Sequence, residues 1–247
     1  MVIGRQAVIE AMRSGQSLDR IYLDTKAVGA DINEMKKLAS QNGVPVNYVP
    51  VAKLNGFNIT NHEGCVALIS KVQYIELQDL ISWITENGET PLLLILDGIT
   101  DIRNIGGIAR TAYCCGVQGI IIPDKGVGAL NEDAILTSAG ALEKILICRV
   151  NSLMKAVDEL HLNGIKVFAT EMKASTSIAD CDFDTPCALV MGSEEKGVYP
   201  ALLKICDERI SIPMKNEFES LNVSVATGMI LYEAMKQRMT IKKKTGP

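Results

Sequence analysis

Apolar positions recur along the chain in two rhythms. In "RQAVIEAMRSG" and "DINEMKKLASQNG" they return every three or four residues, which predicts two helices, the second ending at Gly43. "DRIYLD", "VPVNYV" and "GCVALIS" are short runs of strand-like composition. Residues 1–71 therefore predict a small α/β unit. The stretch "KVQYIELQDLISWITENGETP" is polar and amphipathic and carries the turn signals Asn87-Gly88 and Pro91, so residues 72–90 read as a linker and connecting helix.

From Leu92 the pattern restarts with six apolar runs, "LLLILD", "QGIIIP", "KILICRV", "IKVFAT", "CALVMG" and "RISIPM", separated by helix-like segments. Strands apolar on both faces and joined by helices predict a largely parallel sheet covered on both sides, so residues 91–247 form a second α/β domain. Chemistry in such a domain sits in the loops at the carboxyl ends of the strands. Here those loops read "DGITDIRNIGGIART", "GSEEKGVYP" and "KNEFESLNVS".

A hydrophobic share of 47% and a charged share of 22% over 247 residues are those of a soluble globular protein with a core that needs no disulfide or metal. No apolar run approaches the ~20 residues that span a bilayer, and "MVIGRQAVIEAM" lacks a signal-peptide core, so the expected location is cytoplasmic, with no membrane partner. Seven cysteines without C-x-x-C spacing read as reduced, mostly buried thiols, Cys114 and Cys115 included. His62 and His161 stand apart from any cysteine cluster, and no zinc site is expected. The net charge of -4 argues against a general nucleic-acid binder, although the first 71 residues and the last dozen are locally basic.

The common nucleotide motifs fail. Gly192 to Gly197 has P-loop glycine spacing, but Val198 stands where lysine is required. "GVGALN" from Gly126 lacks the last glycine of the dinucleotide fingerprint, and no G-x-S-x-G elbow occurs. Arg110 is the only charged residue between Arg103 and Asp124, in a segment expected to be mostly buried, so it should meet either a core carboxylate or a ligand phosphate. Near the end, "ESLNVSVA" interrupts an apolar stretch with Ser220, Asn222 and Ser224. A helix cap needs one such residue; a ligand site at a helix start would use more.

Taken together, the three loops resemble the motifs of the SpoU/TrmH branch of the SPOUT RNA methyltransferases. N-x-G-x-x-x-R stands as Asn104, Gly106 and Arg110; G-x-E-x-x-G stands as Gly192, Glu194 and Gly197; Pro-Met followed by S-L-N-V-S stands as Pro213, Met214 and Ser220 to Ser224. "GRQAVIEA" from Gly4 and "NHEGCVAL" from Asn61 resemble the ends of the ribosomal-protein-like RNA-binding domain of the family's two-domain rRNA guanosine-2'-O-methyltransferases. One departure is Lys215-Asn216, where the family usually has glycine; asparagine tolerates the left-handed conformation glycine would supply.

The resemblance implies a parallel-sheet domain ending in a deep trefoil knot, a homodimer with its site near the interface, and 2'-O-methylation of a ribose in RNA from S-adenosylmethionine. The expected substrate is a guanosine of large-subunit rRNA; the alternatives are tRNA, an antibiotic-resistance rRNA site, or a non-catalytic ribosome-assembly protein. Thr170, Gly192, Ile212, Met214 and Leu221 would bind the cofactor, Gly192 by letting backbone approach it. Asn104 and Arg110 would hold ribose and phosphate, Glu194 would pair with a basic residue, and Ser220 and Asn222 would orient Arg110 or the ribose. Lysines and arginines of the first domain and Lys242 to Lys244 are candidate RNA contacts. Methyl transfer from a sulfonium needs alignment, worth ~7 to 11 kcal/mol, and no metal.

Overall fold

The computed structural model describes residues 1–59, 61–128, 130–216 and 220–244, with the side chains of 241–244 outside that description. The chain divides into two compact units, Met1–Gln73 and Tyr74–Pro247. The first runs β1 (Val2–Ile3), α1 (Arg5–Arg13), β2 (Leu18–Asp24), α2 (Ala30–Gln41), β3 (Val46–Val49), α3 (Val51–Asn55) and β4 (Cys65–Ile69). Its sheet has the order β1-β4-β2-β3, with β2 and β3 parallel and the other pairs antiparallel. One face is closed by α1 and α2 through Val8, Ile9, Met12, Ile32 and Met35; Leu54 of α3, Val49 and Val66 form a smaller cluster. "GRQAVIEA" and "NHEGCVAL" meet at Arg5, whose Nε donates to Glu63 O at 2.9 Å and whose Nη1 reaches Asp31 Oδ2 at 3.1 Å.

The second unit runs α4 (Leu77–Glu86), β5 (Leu92–Asp97), α5 (Ile102–Cys114), β6 (Gly119–Pro123), α6 (Glu132–Thr137), β7 (Leu146–Val150), α7 (Leu153–Leu162), β8 (Lys166–Thr170), β9 (Thr176–Ser177), β10 (Cys187–Gly192), α8 (Pro200–Ile205), β11 (Glu208–Ser211) and α9 (Val223–Lys244). The seven strands lie in the order β7-β6-β5-β10-β8-β11-β9, and every pair is parallel. The six runs read from the sequence are six of these strands; β9, two residues long, has no signal of its own. One face packs on α4, α7 and α8 through Leu80, Ile84, Val157, Leu160 and Leu202. The buried residues of α5 and α9, among them Ile105, Ile108, Ile230 and Leu231, serve the alternate face. Each such side chain contributes ~1.5–3 kcal/mol of burial, which explains why the five residues of "LLLILD" before Asp97 are all apolar.

The far end of α9 is fastened by Arg238. Its guanidinium donates to four carbonyls, those of Phe183 (2.8 Å), Thr90 (2.7 Å), Pro91 (2.8 Å) and Thr185 (3.0 Å). These groups flank the amino ends of β5 and β10. Among the described residues no helix is long and apolar enough to cross a membrane.

Candidate active site

The carboxyl ends of β8, β10 and β11 and the start of α9 enclose a cleft of ≈ 650 Å³, within the ~300–1,000 Å³ usual for small-molecule sites. Thr170, Gly192, Ile212, Met214 and Leu221 all line it, together with Ser220 and Glu194. Met191, Val198, Leu203 and Ile230 supply an apolar floor, and Glu171, Glu194 and Glu195 bring negative charge that suits a cationic ligand. Thr170 Oγ1 is already engaged, donating to Val190 O at 2.9 Å across the strand pair.

Beside the cleft the three motif loops converge on one carboxylate oxygen. Glu194 Oε1 accepts from Asn222 Nδ2 at 2.6 Å, from the Val223 amide at 3.1 Å and from Asn104 Nδ2 at 3.3 Å. Asn222 Nδ2 also donates to Asn104 Oδ1 at 3.0 Å. The other end of the Asn222 amide caps α9: its Oδ1 accepts from the Ser224 amide (3.0 Å), the Val225 amide (3.3 Å) and Ser224 Oγ (2.5 Å). Glu194 adds a carboxylate at the positive end of a 22-residue helix, a favourable placement for negative charge. Asn104 is held in place by α5, whose start is capped by Asp101, the side chain accepting from Arg103 N at 2.9 Å. The Arg103 guanidinium holds the Asp101 carboxyl below its usual range.

Several expectations need correction. Glu194 pairs with amides and has no basic partner among the described residues. Asn222 orients Asn104 and Glu194, not Arg110. Arg110 is exposed, and makes no hydrogen bond or ion pair among the described residues. The buried face of α5 is Ile105, Gly106, Ile108, Ala109 and Ala112, which leaves Arg110, Tyr113 and Cys114 on the solvent side. The segment looked uniformly buried because its outward positions include small or weakly polar residues. Cys114 is accordingly exposed, whereas burial pushes the Cys65 and Cys148 thiols up to about 12. Ser220 is half-buried in the cleft wall.

The motif glycines serve the protein's own packing. A Cβ on Gly192 would overlap the backbone of Gly197 and Val198, so this glycine lets the 193–197 turn fold back on its strand. The turn closes with Gly197 N donating to Ser193 O at 2.8 Å, and Gly197 has a φ of 65°. A Cβ on Gly106 would lie 2.7 Å from Thr137 Cβ, so α5 touches α6 there. Lys215 and Asn216 are not among the described residues with positive φ, so their departure from glycine introduces no strain. Residues 217–219 of the third motif loop, and the side chains of Lys242 to Lys244, lie outside the described residues.

Comparison with known proteins matches residues 91–232 to the model of the SpoU rRNA Methylase family and residues 1–75 to that for RNA 2'-O ribose methyltransferase substrate binding. A Bacillus subtilis protein assigned to the TrmH family of tRNA/rRNA methyltransferases as YacO is 36% identical over 237 residues, covering 96% of this chain and 95% of that one. A Staphylococcus saprophyticus protein assigned to the same family is 34% identical over 244 residues, 99% of this chain and 98% of its own. Among solved structures, the TrmH/SpoU tRNA modifying enzyme of A. aeolicus superposes with a TM-score of 0.55 at 31% identity, covering 67% of this chain and 85% of that chain. The SpoU methyltransferase AviRb of Streptomyces viridochromogenes, solved with AdoMet, shares the fold at a TM-score of 0.60 and 23% identity over 97% of this chain and 90% of its own.

Proposed function

The chain belongs to the SpoU/TrmH family of RNA methyltransferases, and from that premise we propose that it transfers a methyl group from S-adenosylmethionine to a ribose 2'-oxygen, most specifically of a guanosine in large-subunit rRNA. The observation that carries this reading is the convergence of Asn104, Glu194 and Asn222 at the rim of an apolar cleft with acidic walls. The cleft fits the cofactor in size and polarity, with Gly192, Ile212, Met214 and Leu221 against it and Thr170 at its edge. Bound there, S-adenosylmethionine supplies an activated methyl group on a good leaving group. The protein's own work is then to align the ribose, hold its phosphate and remove the hydroxyl proton.

Asn104 and Asn222 present a fixed amide pair for the ribose, and Ser220 adds a hydroxyl from the cleft wall. Arg110, exposed and without a partner among the described residues, suits an RNA phosphate and the alkoxide character that develops at the 2'-oxygen. A homodimer belongs to the same proposal. Val225, Met229, Tyr232 and Met239 form an exposed apolar stripe along α9, beside the helix that carries Arg110, and a second copy would cover it. The deep knot, the division of labour between residues 1–71 and 91–247, and the cytoplasmic location also belong to this reading. The first unit supports an RNA substrate, since it matches the model for RNA 2'-O ribose methyltransferase substrate binding.

The test is methyl transfer from labelled S-adenosylmethionine to unmodified large-subunit rRNA, small-subunit rRNA and tRNA transcripts, with the 2'-O-methyl sites mapped and R110A run beside wild type. Labelling of large-subunit rRNA that R110A loses supports the proposal. Labelling of tRNA alone would reassign the substrate, and no saturable cofactor binding would leave only an RNA-binding protein.

A further inference from the structure

The groups assigned above bind and align, yet none of them takes a proton. A guanidinium stays charged throughout, and a neutral amide is not a base. No histidine lines the cleft among the described residues. Three carboxylates do, and they differ in how they are held. Glu171 accepts from Arg209 Nη1 at 3.4 Å, an ion pair with a side chain of β11. Glu195 has no hydrogen bond among the described residues that would fix its direction. Glu194 has one oxygen loaded with three N–H donors from two different elements, while Oε2 receives none among the described residues.

We propose that Glu194 is the general base of the reaction: Oε1 anchors the carboxylate, and Oε2 accepts the ribose 2'-hydroxyl proton. This rests on the methyltransferase reading above. The O–H bond breaks as its proton passes to Oε2, and the freed oxygen lone pair forms the O–CH3 bond. The S–CH3 bond breaks with its electron pair remaining on sulfur. One carboxylate and one sulfonium become one carboxylic acid and one neutral thioether, so charge balances. Because Glu194 is exposed, its proton can return to solvent without a relay. A carboxylate suffices as acceptor because the hydroxyl becomes strongly acidic as the methyl group bonds to it. The three donors on Oε1 keep the side chain from turning away, which is the preorganisation a base requires.

The discriminating variant is E194Q. Its amide oxygen can accept the same three N–H bonds while its NH2 takes the place of Oε2, so the junction stays assembled while proton acceptance is lost. The expected result is a fall in kcat of ~10²–10⁴-fold with KM for the RNA unchanged. RNA binding should match wild type, while S-adenosylmethionine binding and the melting temperature should fall only modestly, through loss of one cleft charge and of the carboxylate at the start of α9. E194Q that methylates at the wild-type rate overturns the assignment. So does a loss in E195Q with E194Q unaffected, which would move the acceptor one residue along. Wild-type protein that labels no RNA would instead fail the methyltransferase reading itself, so the two failures are distinguishable.

Discussion

Replacing Asn222 with aspartate separates the two jobs of that side chain. The cap oxygen for the Ser224 and Val225 amides survives, but the Nδ2 donor, 2.6 Å from Glu194 Oε1, becomes a second carboxylate oxygen. Two unit charges at that separation repel by about 1.6 kcal/mol at the dielectric of water and about 6 kcal/mol at an effective value of 20. The junction is exposed, so the lower figure governs, and separation of the two side chains softens it further. Loss of the charge-assisted hydrogen bond adds ~1.5–3 kcal/mol. Against this, a negative charge at the start of α9 returns ~0.3–1 kcal/mol. The net expectation for N222D at pH 7 is a loss of about 2–3 kcal/mol, or roughly 4–12 °C in Tm for a unit of this size. N222S keeps a capping oxygen without the second charge and should lose about 1.5–3 kcal/mol, the value of the missing bond to Glu194. Protonating one carboxylate of the N222D pair relieves the repulsion, so its deficit is largest at neutral pH and shrinks as pH falls toward 4. The assay is thermal unfolding at pH 7 and pH 4.5, paired with methyl transfer at saturating cofactor. An N222D protein as stable and as active as wild type at pH 7 would refute the coupling between Glu194 and α9.

Other outcomes follow from the same structure. G192A should abolish cofactor binding in equilibrium dialysis, because its methyl group overlaps the backbone of Gly197 and Val198 and the turn that carries Glu194 cannot close. G106A should cost ~1–3 kcal/mol in urea unfolding through the overlap with Thr137. R238M, which keeps the aliphatic stem, should destabilise by about 2–4 kcal/mol, counting only the two part-buried carbonyls of Phe183 and Pro91. Brief alkylation of the native protein should label Cys114 first, with Cys65 and Cys148 unreacted until the protein unfolds, as peptide mapping would show.

The sheet was legible because a strand covered on both faces has no polar position to blur its run; "LLLILD" and "CALVMG" could be little else. The two-residue strands β1 and β9, and α3 with little more than one turn, carry too few positions for either rhythm to register. Arg110 shows where composition misleads: a helix rich in glycine and alanine looks buried all round when only one stripe of it is. The junction at Glu194 was beyond periodicity altogether. Its partners lie 90 and 28 residues away in the chain, and only the order of the three motifs suggested that they belong together. That Gly192 answers to Gly197 and Val198, both in the same turn, follows from a backbone approach no residue type announces.

Strand β10 and helix α9 are joined at both ends, by Glu194 to the Val223 amide at one end and by Arg238 to the Phe183 and Thr185 carbonyls at the other. The two spans must therefore be commensurate. Five strand steps of β10 from Cys187 to Gly192 cover ~16.5 Å, fifteen helical steps from Val223 to Arg238 cover ~22.5 Å, and the residues on either side of the strand make up the difference. The helix thus works as a gauge block for the strand. One residue inserted between 223 and 238 would lengthen it by ~1.5 Å and turn Arg238 by ~100°, off its carbonyls. The same insertion beyond Arg238 would disturb neither junction. In this family member the tolerance for length change in the last helix should therefore switch at a single arginine.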